Sequence, residues 1–178
     1  MLMSYSQRVQ RALAFATEKH KGQKRIGGAD YITHPVAVCE DVKRQGFGED
    51  YQITALFHDL LEDTNTTEEE IVLYGNEEIL TAVKLLTKQK GYDMQAYIEA
   101  IKNNKMAFAI KGADRLHNLQ CAQVAGVDFK RRYILETVEW YLDFSMDIKK
   151  AVKELAESLE TPMLEVSFLY TPIETWER

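Results

Sequence analysis

The stretch "ALFHDLLEDT", residues 55–64, constrains the fold more than any other part of the chain. With the preceding "ITALF" it reads as a buried helix, yet His58, Asp59, Glu62 and Asp63 stand in its middle. A buried charge without a partner costs several kcal/mol, so the fold has to bring these side chains something that neutralises them. On an unbroken helix each residue advances by about 100°, which puts positions 58, 59, 62 and 63 at roughly 0°, 100°, 40° and 140°. All four then share one arc, with Glu62 one turn beyond His58 and Asp63 one turn beyond Asp59. A charge run of this kind is ordinarily a solvated stripe. Here the flanking apolar residues leave little of the helix to face water.

A divalent cation answers the requirement, because it neutralises carboxylates and takes neutral imidazole as a ligand. His34 precedes Pro35 at a helix start. Asp114 lies in "IKGADRLHNL", where Lys111, Asp114, Asn118 and Cys121 share a helical face. His34, His58, Asp59 and Asp114 make a His₂Asp₂ set with positions left for water. Nitrogen and oxygen donors without thiolate favour Mn²⁺, Fe²⁺ or a similar ion over a closed structural zinc site. Taken singly, His34 reads as a helix-start residue and Asp114 as the partner of an arginine such as Arg115.

Punctuation along the chain is helical throughout, so the predicted class is all-α, with about eight helices and almost no strand signal. The expected helices run from Ser4 or Ser6 to Lys21, from His34–Pro35 to Gly46, over 50–63, over a short segment with a Thr67–Glu70 capping box ending at Gly75, and over 77–87, 93–103, 105–124 and 130–159. Residues 22–33 form a glycine-rich loop carrying Lys24 and Arg25. Pro162 closes the last helix, and "MLEVSFLYT" (163–171) is a short strand or an extended arm. With 178 residues, no repeat and no linker, residues 1–178 are expected to form one domain.

Composition narrows the function. Lys and Arg number 22 against 28 Asp and Glu, a net charge of −6 that disfavours nucleic acid as a partner but leaves room for a small anion held by a few cations. Two cysteines without metal-ligand spacing, no signal-peptide core and no stretch of membrane-spanning length point to the cytoplasm. The aromatics Tyr133, Trp140, Tyr141 and Phe144 read as core or interface and leave a homo-oligomer open, and Cys121 reads as a small core residue.

Four motifs together resemble a known family. "HKGQKR" (20–25), "YITHP" (31–35), "HDLLEDT" (58–64) and "KGADRLHNL" (111–119), followed by "RRYILETVEWY" (131–141), are similar to the hydrolase domain of the Rel/SpoT stringent-response enzymes, within the HD superfamily of metal-dependent phosphohydrolases. The resemblance covers about residues 8–142, leaving the C-terminal helix and tail at 143–178. It implies an HD-domain helical bundle that removes the 3′-pyrophosphate of (p)ppGpp, usually with Mn²⁺, and a chain of the stand-alone small alarmone hydrolase type. By position, it makes His34, His58, Asp59 and Asp114 the metal ligands and Glu62 and Asp63 the acidic pair beside the attacking water. It makes Arg25 and Asn118 nucleotide contacts.

Departures from the family pattern fall where nucleotide specificity is set. Ile26 stands where a second basic residue is common, "IGGAD" replaces Ser-Gly-Glu-Pro, and Gln120 and Cys121 replace Arg and Thr. A run of basic residues before Asp114 is also missing.

The chemistry fits the residues. Phosphate esters and anhydrides hydrolyse very slowly unaided. A divalent ion lowers the pKa of its water from about 15.7 to about 7 and offsets phosphoryl charge. Glu62 and Asp63 would then orient and deprotonate water or return a proton to the leaving oxygen. Lys111 and Arg25, with Lys24 as a further candidate, would neutralise phosphates or stack on the base. Two other readings compete: an HD-type nucleotide phosphatase acting on a nucleoside monophosphate or another phosphorylated metabolite, and a nucleotide-sensing module without catalysis.

Overall fold

The computed structural model describes residues 5–25 and 27–159. Ile26, Pro162 and the predicted strand or arm at 163–171 lie outside the described residues. Among those described, the chain is all-α, with ten α-helices, one 3-10 turn and an isolated bridge between Lys24 and Asp30.

The helices are α1 (Gln7–Lys19), α2 (Thr33–Arg44), α3 (Glu49–Phe57), α4 (Leu60–Asp63), α5 (Glu68–Tyr74), α6 (Glu77–Leu86), α7 (Met94–Lys102), α8 (Lys105–Cys121), α9 (Val127–Trp140) and α10 (Met146–Glu157). Side-chain caps explain most starts, each satisfying an amide that the helix leaves unbonded. Ser6, Asn76, Asp93 and Ser145 accept from Val9, Ile79, Ala96 and Ile148. Asn104 accepts from Ala107 at the start of α8. Thr67 and Glu70 form the predicted capping box of α5. After α2, Gly46 takes φ of 87°, and the amides of Gly46 and Phe47 return to the carbonyls of Lys43 and Val42. This double closure needs a left-handed residue, which glycine adopts without a Cβ penalty.

Two expected helices are each two. The helix predicted over 50–63 leaves regular geometry after Phe57, with Asp59 at φ −100° and ψ −4°, and resumes as the single turn α4. The helix predicted over 130–159 stops at Trp140 and restarts behind Ser145. Ser145 offers its hydroxyl to the Ile148 amide, which makes a start more favourable there than continued helix.

The chain divides into two compact units, Met1–Asp114 and Arg115–Arg178, the boundary falling within α8. In the first, α3 is the centre, with α1, α2 and α6 packed on it and α5 and α7 on α6. Its residues Ile53 to Phe57 are all buried, so the C-terminal half of α3 is enclosed on every side. In the second, α9 packs on α10, with Ile134, Tyr141, Ile148, Val152 and Leu155 buried.

Candidate metal centre

Three elements of the first unit bring the four predicted ligands together. His34 lies in the first turn of α2, where Pro35 has the fixed φ that a helix start favours. His58 and Asp59 occupy the break between α3 and α4. Asp114 is buried on α8. The Nε2 atoms of His34 and His58 lie 3.3 Å apart. His34 Nε2 is 3.1 Å from Asp114 Oδ1 and 3.8 Å from Asp59 Oδ2. His58 Nε2 is 3.1 Å from Asp59 Oδ2 and 3.9 Å from Asp114 Oδ1. Two imidazole nitrogens facing each other amid two carboxylates is the arrangement expected around a cation. His34, His58 and Asp59 satisfy the spacing of a metal-binding group.

The second nitrogen of His58 sets its tautomer. Nδ1 lies 2.7 Å from the Ala55 carbonyl, so Nδ1–H donates there and the Nε2 lone pair faces the carboxylates. Without an ion, a proton takes the cation's place. Burial alone would lower the His58 pKa, but Asp59 and Asp114 outweigh it and push it up to about 9. Burial dominates at His34, which is lowered. Against burial, which raises both carboxyls, His58 holds Asp59 down at about 2, and Lys111 holds Asp114 well below its ordinary range. The residues present therefore fit a divalent ion: His34, His58 and Asp59 converge, Asp114 lies beside both imidazoles, and both carboxyls are held toward their ionised form.

The acidic pair is exposed beside this cluster, but its two members have different partners. Glu62 Oε2 accepts from the backbone amide of Lys88 at 2.8 Å. Asp63 Oδ2 accepts from the Tyr31 hydroxyl at 3.0 Å, and the same hydroxyl lies 2.7 Å from Asp59 Oδ2. Although the helix is interrupted at His58–Asp59, the Asp63 amide still donates to the Asp59 carbonyl and the two carboxylates face one hydroxyl.

The basic candidates are distributed as follows. Lys111 Nζ lies 2.8 Å from Asp114 Oδ2, so Lys111, rather than Arg115, is the partner of Asp114. Arg25 lies over the Tyr31 ring at 5.8 Å. Lys24 is exposed and pairs with Asp30. Asn118 is half-buried one turn beyond Asp114 on α8, past the boundary between the units. Within the second unit, Arg115 is buried between the rings of Tyr133 and Tyr141, at 4.3 and 3.9 Å, and pairs with Glu136 at 3.1 Å. Cys121 corrects an expectation. It is exposed, not a core residue, because α8 ends there, and its sulfur lies 3.7 Å from His117 Nε2.

Sequence reasoning passed over Tyr31 and Lys88. Tyr31 stands three residues before His34, a signal visible in "YITHP". Lys88 acts through its amide, which no side-chain pattern reveals.

Comparison with known proteins settles the family. Residues 12–145 match the HD domain. The chain belongs to the HD-domain family. The doublet that names the family reads here as His58–Asp59, and an HD domain implies a divalent metal.

Among HD-domain relatives, the chain is 30% identical over 177 residues to a GTP pyrophosphokinase rsh of Brucella melitensis biotype 1, an alignment covering 93% of this chain and 23% of that protein. It is 33% identical over 145 residues to a guanosine-3′,5′-bis(diphosphate) 3′-pyrophosphohydrolase of Aquifex aeolicus, covering 77% and 21%. It is 34% identical over 145 residues to the bifunctional (p)ppGpp synthase/hydrolase SpoT of Escherichia coli K12, covering 75% and 21%. The chain thus spans under a quarter of the length of these curated relatives. A solved metazoan ortholog of SpoT, described as hydrolysing ppGpp, has the same fold, with a TM-score of 0.66 and 21% identity over 92% of this chain and 98% of that one. No described helix is long and apolar enough to cross a membrane.

Proposed function

We propose that this chain is a metal-dependent phosphohydrolase that removes the 3′-pyrophosphate from (p)ppGpp, with His34, His58, Asp59 and Asp114 holding Mn²⁺ or a similar ion. The observation that carries the reading is the convergence of the two Nε2 atoms on each other and on the Asp59 and Asp114 carboxylates, the five distances that involve an imidazole lying between 3.1 and 3.9 Å, beside an exposed acidic pair. The names of the relatives support the substrate. The HD-domain match over residues 12–145 runs across the boundary between the two units, which supports reading that stretch as parts of one domain. The reading places the protein in the cytoplasm, where guanine nucleotides are used.

When bound, the ion supplies Lewis-acid charge that polarises a phosphoryl oxygen and acidifies water. The residues of the chain do the rest. Asp63 orients the attacking water and takes its proton, leaving that oxygen to bond to the phosphorus joined to the ribose 3′ oxygen. As that phosphorus–oxygen bond breaks, the acidic pair returns a proton to the 3′ oxygen and pyrophosphate departs. Glu62, held by the Lys88 amide, keeps its carboxylate at the rim. Lys111 offsets the charge of Asp114 next to the incoming phosphates. Arg25, already lying on an aromatic ring, suits the guanine base or a phosphate, with Lys24 near it in the loop. Asn118 enters as a nucleotide contact by resemblance.

The test is release of phosphate and pyrophosphate from ppGpp by purified protein with and without Mn²⁺, beside a panel of nucleoside mono-, di- and triphosphates. Mn²⁺-dependent pyrophosphate from ppGpp is expected. Inorganic phosphate from a monophosphate with ppGpp untouched would overturn the substrate and leave an HD-type nucleotide phosphatase. Tight Mn²⁺ and nucleotide binding with no turnover of any substrate would leave a sensing module.

A further inference from the structure

The segment between α1 and α2 grips Asp63 at two points. From the loop after α1, Gln23 Nε2 donates to the Asp63 carbonyl at 2.7 Å. From two residues before α2, the Tyr31 hydroxyl reaches the Asp63 carboxylate. The two grips are joined, because the Tyr31 amide donates to the Gln23 carbonyl at 3.0 Å. The Tyr31 ring is also held. Its centroid lies 4.8 Å from the buried His20 ring and 6.1 Å, edge-on, from that of His34, with the Arg25 guanidinium over it. His20 is in turn tied to Gln23, with Nδ1 2.7 Å from Oε1. A ring fixed on several sides gives its hydroxyl little freedom to follow a carboxylate that wanders.

One O–H faces two carboxylate oxygens, Asp59 Oδ2 at 2.7 Å and Asp63 Oδ2 at 3.0 Å. Two like charges drawn to one proton are held at a set separation, where otherwise they would turn apart. Asp63 is otherwise an exposed side chain at the last residue of a single-turn helix, which by itself has little to keep it in one rotamer.

We propose that Tyr31 is a positioning residue, its hydroxyl bridging Asp59 to Asp63 so that the water-activating carboxylate stays in register with the metal site. The inference rests on the phosphohydrolase reading and deepens it. It separates the acidic pair by attachment: Asp63 belongs to the metal site through Tyr31, and Glu62 to the segment after α6 through Lys88.

The test compares wild type, Tyr31→Phe, Asp63→Asn and the double variant. Phenylalanine keeps the ring packing and deletes only the bridge. For Tyr31→Phe the expected results are a kcat on ppGpp lower by about 10- to 100-fold, a KM within about twofold of wild type, and calorimetric Mn²⁺ affinity of the metal-stripped protein lower by about tenfold. The metal-free unfolding midpoint should stay within about 2 °C, since no packing is lost. In the double variant, kcat should match that of Asp63→Asn within about threefold, because the hydroxyl acts through that carboxylate. Unchanged kcat, effects that multiply in the double variant, or a fall in the unfolding midpoint accompanying a fall in kcat would each overturn the proposal. Wild type that binds Mn²⁺ but leaves ppGpp intact would sink the substrate alone. The Mn²⁺ titration then still decides on Tyr31, and unchanged affinity in Tyr31→Phe would overturn it.

Discussion

At the scale of single residues, the site is a problem in placing charge. His58 and Asp59 are adjacent in sequence and their side chains meet again at 3.1 Å, which a free chain in water would not sustain. Removing one partner leaves the other buried or half-buried without compensation. His58→Ala is expected to abolish measurable Mn²⁺ binding and lower turnover by at least about a thousandfold, since both the ion and the alignment of Asp59 depend on it; calorimetry and kinetics read the two effects separately. The proton on His58 makes a second prediction, with a definite sign. Its pKa is pushed up to about 9 in the metal-free site, so below that pH an incoming ion has to displace a proton. Mn²⁺ affinity should therefore rise with pH, by roughly tenfold per unit between pH 6.5 and 9, and level off above. Affinity that is flat across that window would show that His58 is neutral in the metal-free protein.

At the scale of elements, the informative features are where helices stop. At the interruption at His58–Asp59, Nδ1 of His58 bonds the Ala55 carbonyl. The interruption before Ser145 turns one amphipathic run into the pair α9 and α10. Ser145→Ala is expected to lower stability by about 1 kcal/mol through loss of the cap, measured as a shift of the denaturant midpoint without a change of slope. Arg115 closes the second unit's end of α8 on two tyrosine faces and the Glu136 carboxylate. Arg115→Ala should cost on the order of 2–3 kcal/mol, because a stacked planar cation and its stem are both lost. Replacement by lysine should recover only part, since an ammonium lacks the flat face that two rings sandwich.

Across the whole molecule, metal and folding are linked. The proposed ligands, from the start of α2, the α3–α4 break and α8, come together only when the chain is folded, so an ion bound there stabilises the native state by mass action. At a free concentration a hundred times its dissociation constant, Mn²⁺ should add about 2.7 kcal/mol, seen as a rise in the unfolding midpoint that a chelator reverses. The sequence by itself determined the helical class, most of the caps and the four ligand candidates, because helix punctuation is local and because an HD doublet inside an apolar run demands a counter-charge. It also carried, through the spacing of its motifs, the membership in the HD-domain family. Only the tertiary structure decided that Tyr31 joins Asp59 to Asp63 and that a backbone amide at Lys88 holds Glu62. Those choices depend on which distant surfaces meet, and on where a helix yields by one turn, and neither is written in the period of a single segment.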